Sequence, residues 1–236
     1  MDESYIISVS GNSSVLQASF FPPLELNPNK HYVIGFVDFW TFNSIPNIHE
    51  GHNQIRFQLT DKTFKLITLP TGSYELEDLV AEIKTKCDKL GIQFNLTINE
   101  ITLKTTIQSN WDIDFRESNS IGDLLGFNPS YYPKGNLYEA ENTVRIIKVN
   151  SIKVECSIAT GSYHNGQLVH TLHEFFPKVP TTYKIIESPS EVIYLPITAE
   201  RSIDCIEFRL VDQDGKLVDF RNEVISLRVH IKAVWE

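Results

Sequence analysis

Apolar and polar residues alternate along much of this chain. Ile152-Lys153-Val154-Glu155-Cys156-Ser157-Ile158 alternates without a break, as does Ile225-Ser226-Leu227-Arg228-Val229-His230-Ile231-Lys232. Gln54-Ile55-Arg56-Phe57-Gln58-Leu59 and Ile92-Gln93-Phe94-Asn95-Leu96-Thr97-Ile98 repeat the pattern. A period of two turns one side of an extended segment to a core and the other to water. Strands are predicted over residues 15–26, 32–42, 144–158, 167–174, 183–187, 192–196, 203–211 and 224–234. Eight strands in two sheets describe a jelly roll, so the expected fold class is all-β, a single jelly-roll β-sandwich. The strand over 224–234 should turn Ile225, Leu227, Val229 and Ile231 inward, and Ser226, Arg228, His230 and Lys232 outward. Residues 32–42 break the simple alternation. Tyr32, Ile34, Phe36, Trp40 and Phe42 fall on one side and Val33, Val37 and Phe39 on the other, which predicts a strand buried on both faces.

The stretch from 52 to 140 changes character. Two strands, over 54–60 and 63–69, meet at Asp61-Lys62. Ser73 is the expected N-cap of a helix with Glu75 and Glu77 in its first turn. Leu76, Leu79, Val80, Ile83, Cys87 and Leu90 then fall at helical spacing, and Gly91 ends the helix. A hairpin over 92–98 and 101–107 turns at Asn99-Glu100. Ser120-Ile121-Gly122-Asp123 has the shape of a capping box ahead of a short helix that closes at Gly126. The expected organisation is a jelly-roll domain in two pieces, residues 1–51 and 141–236. A small α+β insertion, residues 52–140, separates its second and third predicted strands.

Composition and chemistry narrow the function. Of 236 residues, 42% are hydrophobic and 11% aromatic, enough for a sizeable core. A net charge of −9 argues against strong nucleic-acid binding, which needs clustered Lys and Arg. Cys87, Cys156 and Cys205 are odd in number and widely spaced, so no disulfide framework is expected and a reducing compartment is favoured. Met1-Asp2-Glu3-Ser4-Tyr5 lacks the basic and apolar regions of a signal peptide, and no stretch approaches the roughly 18 apolar residues of a membrane span.

His170 and His173, three apart on an extended segment, face opposite sides and suit no zinc site. His49-Glu50-Gly51-His52 reads as a polar loop. Asp212-Gln213-Asp214-Gly215 lacks the later ligands of a calcium loop and reads as a hairpin turn. Asp112 and Asp114 share a strand face, as a glycosidase pair would, but nothing in the sequence marks either as buried. There is no G-x-S-x-G elbow and no P-loop, so neither an enzyme nor a cofactor is expected. Aromatic residues stand beside prolines in Phe20-Phe21-Pro22-Pro23, Tyr131-Tyr132-Pro133 and Phe175-Phe176-Pro177, which suits loops that dock on neighbouring subunits.

Several segments together resemble a known family. They are Thr41-Phe42-Asn43-Ser44-Ile45-Pro46-Asn47-Ile48, Leu69-Pro70-Thr71-Gly72-Ser73-Tyr74, Asn119-Ser120-Ile121-Gly122-Asp123-Leu124-Leu125-Gly126-Phe127, His170-Thr171-Leu172-His173-Glu174-Phe175-Phe176-Pro177, Tyr183-Lys184-Ile185-Ile186-Glu187 and Val211-Asp212-Gln213-Asp214-Gly215. They look like the minor capsid, or penton, proteins of Maverick/Polinton elements and the related adintoviruses, and the resemblance spans nearly the whole chain. It implies a single jelly-roll subunit that forms a homopentamer at the fivefold vertex of an icosahedral capsid. Its partners would be double jelly-roll major capsid proteins, in a virion assembled inside the host cell. The family brings no catalytic residue. On this reading subunit contacts are expected at Trp40, Phe42 and Ile45, at Phe175, Phe176 and Tyr183, and at the outward-facing Arg228. The alternative is a jelly-roll module that binds a carbohydrate or a receptor through residues 52–140.

Overall fold

The computed structural model describes residues 3–60 and 63–234. The expected turn at Asp61-Lys62 lies outside the described residues. The chain divides into two compact units, one of Met1–Ile45 with Val149–Glu236 and one of Pro46–Lys148. In chain order the first unit begins with β1 (Ser4–Gly11), β2 (Val15–Glu25) and β3 (His31–Phe42). The second contains β4 (Gln54–Thr60), β5 (Thr63–Thr68), α1 (Leu76–Lys89), β6 (Phe94–Asn99), β7 (Lys104–Ser109), β8 (Asp112–Asp114), β9 (Tyr131–Tyr132) and β10 (Leu137–Glu139). The first unit then resumes with β11 (Ile152–Cys156), β12 (Ser162–His164), β13 (Gln167–Val169), β14 (Thr171–Phe175), β15 (Lys184–Glu187), β16 (Tyr194–Pro196), β17 (Ser202–Val211) and β18 (Ile225–Val234).

The first unit is a jelly-roll sandwich, and the fold class is all-β. One sheet runs β1-β18-β3-β15, with β16 also on β3, and the other runs β14-β11-β17-β2. Apolar residues from both inner faces form one cluster, in which Phe39 meets Phe175 at 5.1 Å between ring centres. Ile225, Leu227, Val229 and Ile231 are fully buried, as the alternation predicted. The edge strand β1 was not anticipated, because the adjacent Ile6 and Ile7 break the alternation: Ile6 points outward beside the buried Ile7 and Val9. It precedes the two strands after which the second unit is inserted. The expected strands at 183–187 and 192–196 share one place in the sheet: β15 pairs with the Phe39–Phe42 end of β3 and β16 with the Val33–Gly35 end. Residues 144–151 are irregular, and the strand there begins only at Ile152.

The doubly apolar pattern of β3 has a local cause. Asp38 pairs with Arg228 and Phe36 with Val229, so Val37 is the extra residue of a β-bulge. A bulge shifts every later side chain to the opposite face. Tyr32, Ile34 and Phe36 point inward before it, and Phe39 and Thr41 after it. Trp40 and Phe42, expected beside Phe36, therefore stand on the outer face with Ser226 and Lys184.

The inserted unit has its own core, built from a sheet β5-β4-β8-β9, a sheet β10-β7-β6 and α1. Leu79, Ile83 and Cys87 form the buried stripe of α1. The N-cap is Glu75, with no side-chain cap bond, and not Ser73. At the other end Gly91 adopts φ +67°, with its N–H on Asp88 O and the Ile92 N–H on Cys87 O, a Schellman closure. The second hairpin turns wider than expected: Asn99 Oδ1 accepts the N–H groups of Ile101 and Thr102, and Lys104 begins the return strand. Residues 121–126 form turns and no helix. Ser120 Oγ accepts the Gly122 N–H, and the Asp123 carboxylate meets the Leu124 N–H and His52 Nε2 instead of closing a box.

The unit is also wider than residues 52–140. Asn47 Nδ2 donates to the carbonyls of Tyr74 and Ile146, and Ile48 lies buried in the second core beside Gly72. Both flanking segments thus spend their polar and apolar groups inside it.

Removing a buried branched side chain costs transfer energy plus a cavity. Leu227→Ala is expected to lower the unfolding free energy by about 2–5 kcal/mol in a denaturant titration. Ser226→Ala, one position along on the opposite face, should change it by less than about 0.5 kcal/mol. The reverse order would mean an inverted register.

Candidate functional site

Most of the expected contact residues gather on one side of the sandwich, where β14 and β15 are the edge strands of the two sheets. Phe42 is 43% exposed on the outer face of β3. Beside it lies β15, where Ile186, opposite Trp40, is 68% exposed. Trp40 is half-buried, with Lys184 Nζ 4.1 Å above its ring. The connection from β14 to β15 adds Phe176 at 60% and Tyr183 at 63% exposure. Apolar side chains are thus exposed on β3, on β15 and on the connection that leads to it, and Lys178 and Lys184 are exposed beside them in the chain.

Three expectations need correction or placement. Phe175 is buried against Phe39 in the sandwich core and offers nothing to a neighbour, because β14 turns Phe175 inward and Phe176 follows outside the strand. Ile45 is partly buried and packs on the same core. Arg228 faces outward but is already engaged: its guanidinium grips the Asp38 carboxylate, with Nε 2.9 and 2.8 Å from the two oxygens. The side-chain hydrogen bond it donates to Asp38, with the carboxylate's charge, raises the Arg228 pKa above its ordinary value.

Two supporting residues were missed in the sequence. Asn43 clamps the connection: Nδ2 donates to Val179 O at 2.8 Å, its N–H donates to Tyr183 O at 2.8 Å, and its carbonyl accepts the Thr182 N–H at 2.9 Å. Ile186 lies in an alternating strand, but only the edge position of β15 makes its outward face a surface.

His173 is not a surface histidine. It stacks on Phe36 at 4.2 Å and meets Glu187 Oε1 at 3.0 Å, joining β14 to β15 across the two sheets. His170 Nδ1 sits 2.7 Å from Ala159 O. The 212–215 segment is the expected turn, with Gly215 at φ +78° and the Asp212 carboxylate holding the Asp214 and Lys216 N–H groups.

In the inserted unit, Asp112 accepts from the Tyr131 hydroxyl and the Lys134 N–H. Asp114 is buried, which nothing in the sequence marked, and a bidentate Arg116 holds its carboxyl below the usual range. Both carboxylates are tied to fixed donors, an arrangement that serves structure better than acid–base exchange. Burial pushes the thiols of Cys87 and Cys156 up to about 12 and about 11, which suits inert core residues. On the outer face of β5-β4-β8-β9, Arg56 lies 4.6 Å over the exposed Phe64 and Arg116 5.2 Å over Tyr131.

Replacing the clamp should loosen the connection selectively. Asn43→Ala is expected to speed amide hydrogen exchange over residues 177–183 while the thermal midpoint stays nearly constant. Unchanged protection there would show that the other contacts hold the connection without Asn43.

A crystal structure of the mavirus penton protein matches this chain with a TM-score of 0.50 at 11% sequence identity, covering 99% of this chain and 100% of that one. The likeness shows a shared fold. No protein-family model matches the sequence, and no curated protein matches it.

Proposed function

We propose that this chain is a structural capsid protein, the penton subunit that forms the fivefold vertex of an icosahedral capsid, of the kind found in Maverick/Polinton elements and adintoviruses. The observation that supports this most is the end-to-end likeness to the mavirus penton protein, which takes in both the sandwich and the inserted unit. The exposed apolar surface around Phe42, Phe176, Tyr183 and Ile186 is the second support, since aromatic anchors in a patch of this kind carry much of the energy of subunit contacts. Five copies associate side by side under cyclic symmetry, and the ring docks among double jelly-roll major capsid proteins in a virion assembled inside the host cell. The protein is no enzyme and uses no cofactor.

Native mass spectrometry of the purified chain is expected to show a species of five times the 27.0 kDa subunit. The double substitution Phe176→Ser with Tyr183→Ser should raise the concentration for half-assembly at least about tenfold, with little change in the monomer's melting temperature. A strict monomer at high micromolar concentration, with no particles on co-expression with a major capsid protein, would sink the proposal.

The inserted unit folds as a semi-independent subdomain. Its core residues form a cluster of their own, and a long excursion costs little in chain entropy beyond a short one. Replacing residues 46–148 by a short Gly/Ser linker should leave a sandwich that melts cooperatively by circular dichroism. Loss of all structure would mean that the two units share stability.

A second reading is favoured by the Phe64/Arg56 and Tyr131/Arg116 stacks. Under it the chain is a carbohydrate- or receptor-binding module that uses the outer face of β5-β4-β8-β9. A specific hit on a glycan array from a protein that does not assemble would select it.

A further inference from the structure

The strand order places a second apolar feature directly opposite the first. The sheets β1-β18-β3-β15 and β14-β11-β17-β2 stack so that β1 lies against β2 on one side and β14 lies against β3 on the other, where it reaches β15 through His173. Tyr5 Oη donates to Glu25 O on the first side, and His173 meets Glu187 on the second. The apolar surface described above belongs to the β14/β15 side. On the β1/β2 side, β2 breaks its register with β17 between the pairs Leu24–Ile203 and Ser19–Cys205, leaving residues 20–23 as a bulge. Within it Phe20 packs on the core while Phe21 is fully exposed. Ile6, on the outer face of β1, is 72% exposed on the same side.

An aromatic ring held entirely in water on a bulged edge strand has no role in the core of its own chain. Fully exposed aromatics of this kind become anchors when a partner covers them. The charges differ in the same sense. Glu25 is the only charged residue of β1 and β2, and it is exposed, while Lys178 and Lys184 flank the apolar surface on the far side. A molecule with two different complementary patches on opposite sides associates head to tail, and such contacts close into a ring where the rotation between copies closes.

We infer that Phe21 and Ile6 on the β1/β2 side of one copy dock onto the Phe42, Phe176, Tyr183 and Ile186 surface on the β14/β15 side of the next copy, a heterologous contact between two copies of this chain. This rests on the vertex reading and supplies the missing half of its interface. The outward bulge presents the Phe21 ring as a knob, and Glu25 meets the lysines at the rim.

The test uses two single-sided variants of the full chain, Phe21→Glu and Ile186→Glu, with Phe21→Ser and Ile186→Ser as milder counterparts. Circular dichroism melts establish that each is folded. Each variant alone should be monomeric where the wild type forms rings. An equimolar mixture, cross-linked at high micromolar concentration and weighed by mass spectrometry, should give a 1:1 heterodimer and nothing larger, because only one intact junction exists per pair. Four results would overturn the inference with the vertex reading intact: Phe21→Glu assembling like the wild type, Ile186→Glu alone forming dimers through Phe21, a mixture that yields full rings, or a mixture that stays monomeric while the wild type assembles. A wild-type chain that never assembles overturns the vertex reading and this contact with it.

Discussion

β3 is hydrogen-bonded to β18 along one edge and to β15 and β16 along the other. Every strand of that sheet except β1 takes its register directly from β3, and β1 takes it through β18. The bulge at Val37 therefore has long reach. Before it, Tyr32, Ile34 and Phe36 close the sandwich; after it, Phe39 and Thr41 do so. Without that one extra residue, Phe39 would leave the core and Trp40 and Phe42 would enter it. The bulge thus keeps the sandwich filled along the whole of β3 and at the same time places Trp40 and Phe42 outside, next to β15.

The outer surface inherits the same constraint. Thr41 donates its hydroxyl to Val224 O from within the core, and the chain then reaches Asn43, which holds the connection between β14 and β15. The apolar residues of that connection are thus displayed by a framework of backbone bonds and do not hang from a free loop. Gly35 plays a comparable part at the other end of β3. A Cβ there would meet Val192 Cγ1 at 2.4 Å, and the room left by glycine lets Tyr194 lie across the strand and reach His230 Nδ1 at 2.7 Å. Burial, with the Lys232 charge beside it, lowers the His230 pKa, favouring a neutral ring held between Ser4 and Tyr194.

Carboxylates follow a different logic in the inserted unit. Asp112, Asp114 and Asp123 sit close to donors that are fixed by the backbone or by a neighbouring side chain. Burial alone would raise the pKa of Asp123, but the interactions with His52, the Leu124 N–H and the Lys148 charge together bring the net direction downward. Polar groups satisfied in this way, with Asp114 buried among them, help to specify one arrangement of a unit rich in turns. The aromatic cluster of Phe115, Phe127, Tyr132 and Tyr138, with ring centres between 5.2 and 5.7 Å apart, fills the space those turns enclose.

The alternating segments at 152–158 and 225–232, the helix stripe at Leu79, Ile83 and Cys87, and the Gly91 stop were all legible in the sequence, because each depends on a local period or a local dihedral. From these the all-β class, the jelly roll and the presence of an α+β insertion followed. What the sequence could not carry was pairing. Whether Trp40 and Phe42 lie inside or outside depends on a bulge that exists only opposite β18. Whether 183–187 and 192–196 are two places in a sheet or one depends on both reaching β3. Ile6 and Phe21 look like any other apolar residues until their strands prove to be edges. Phe175 and Phe176 read as one aromatic pair, yet the strand end between them sends one ring into the core and the other to solvent. Local periodicity sets which residues alternate; only the partner strand, brought from far along the chain, sets which side is the inside.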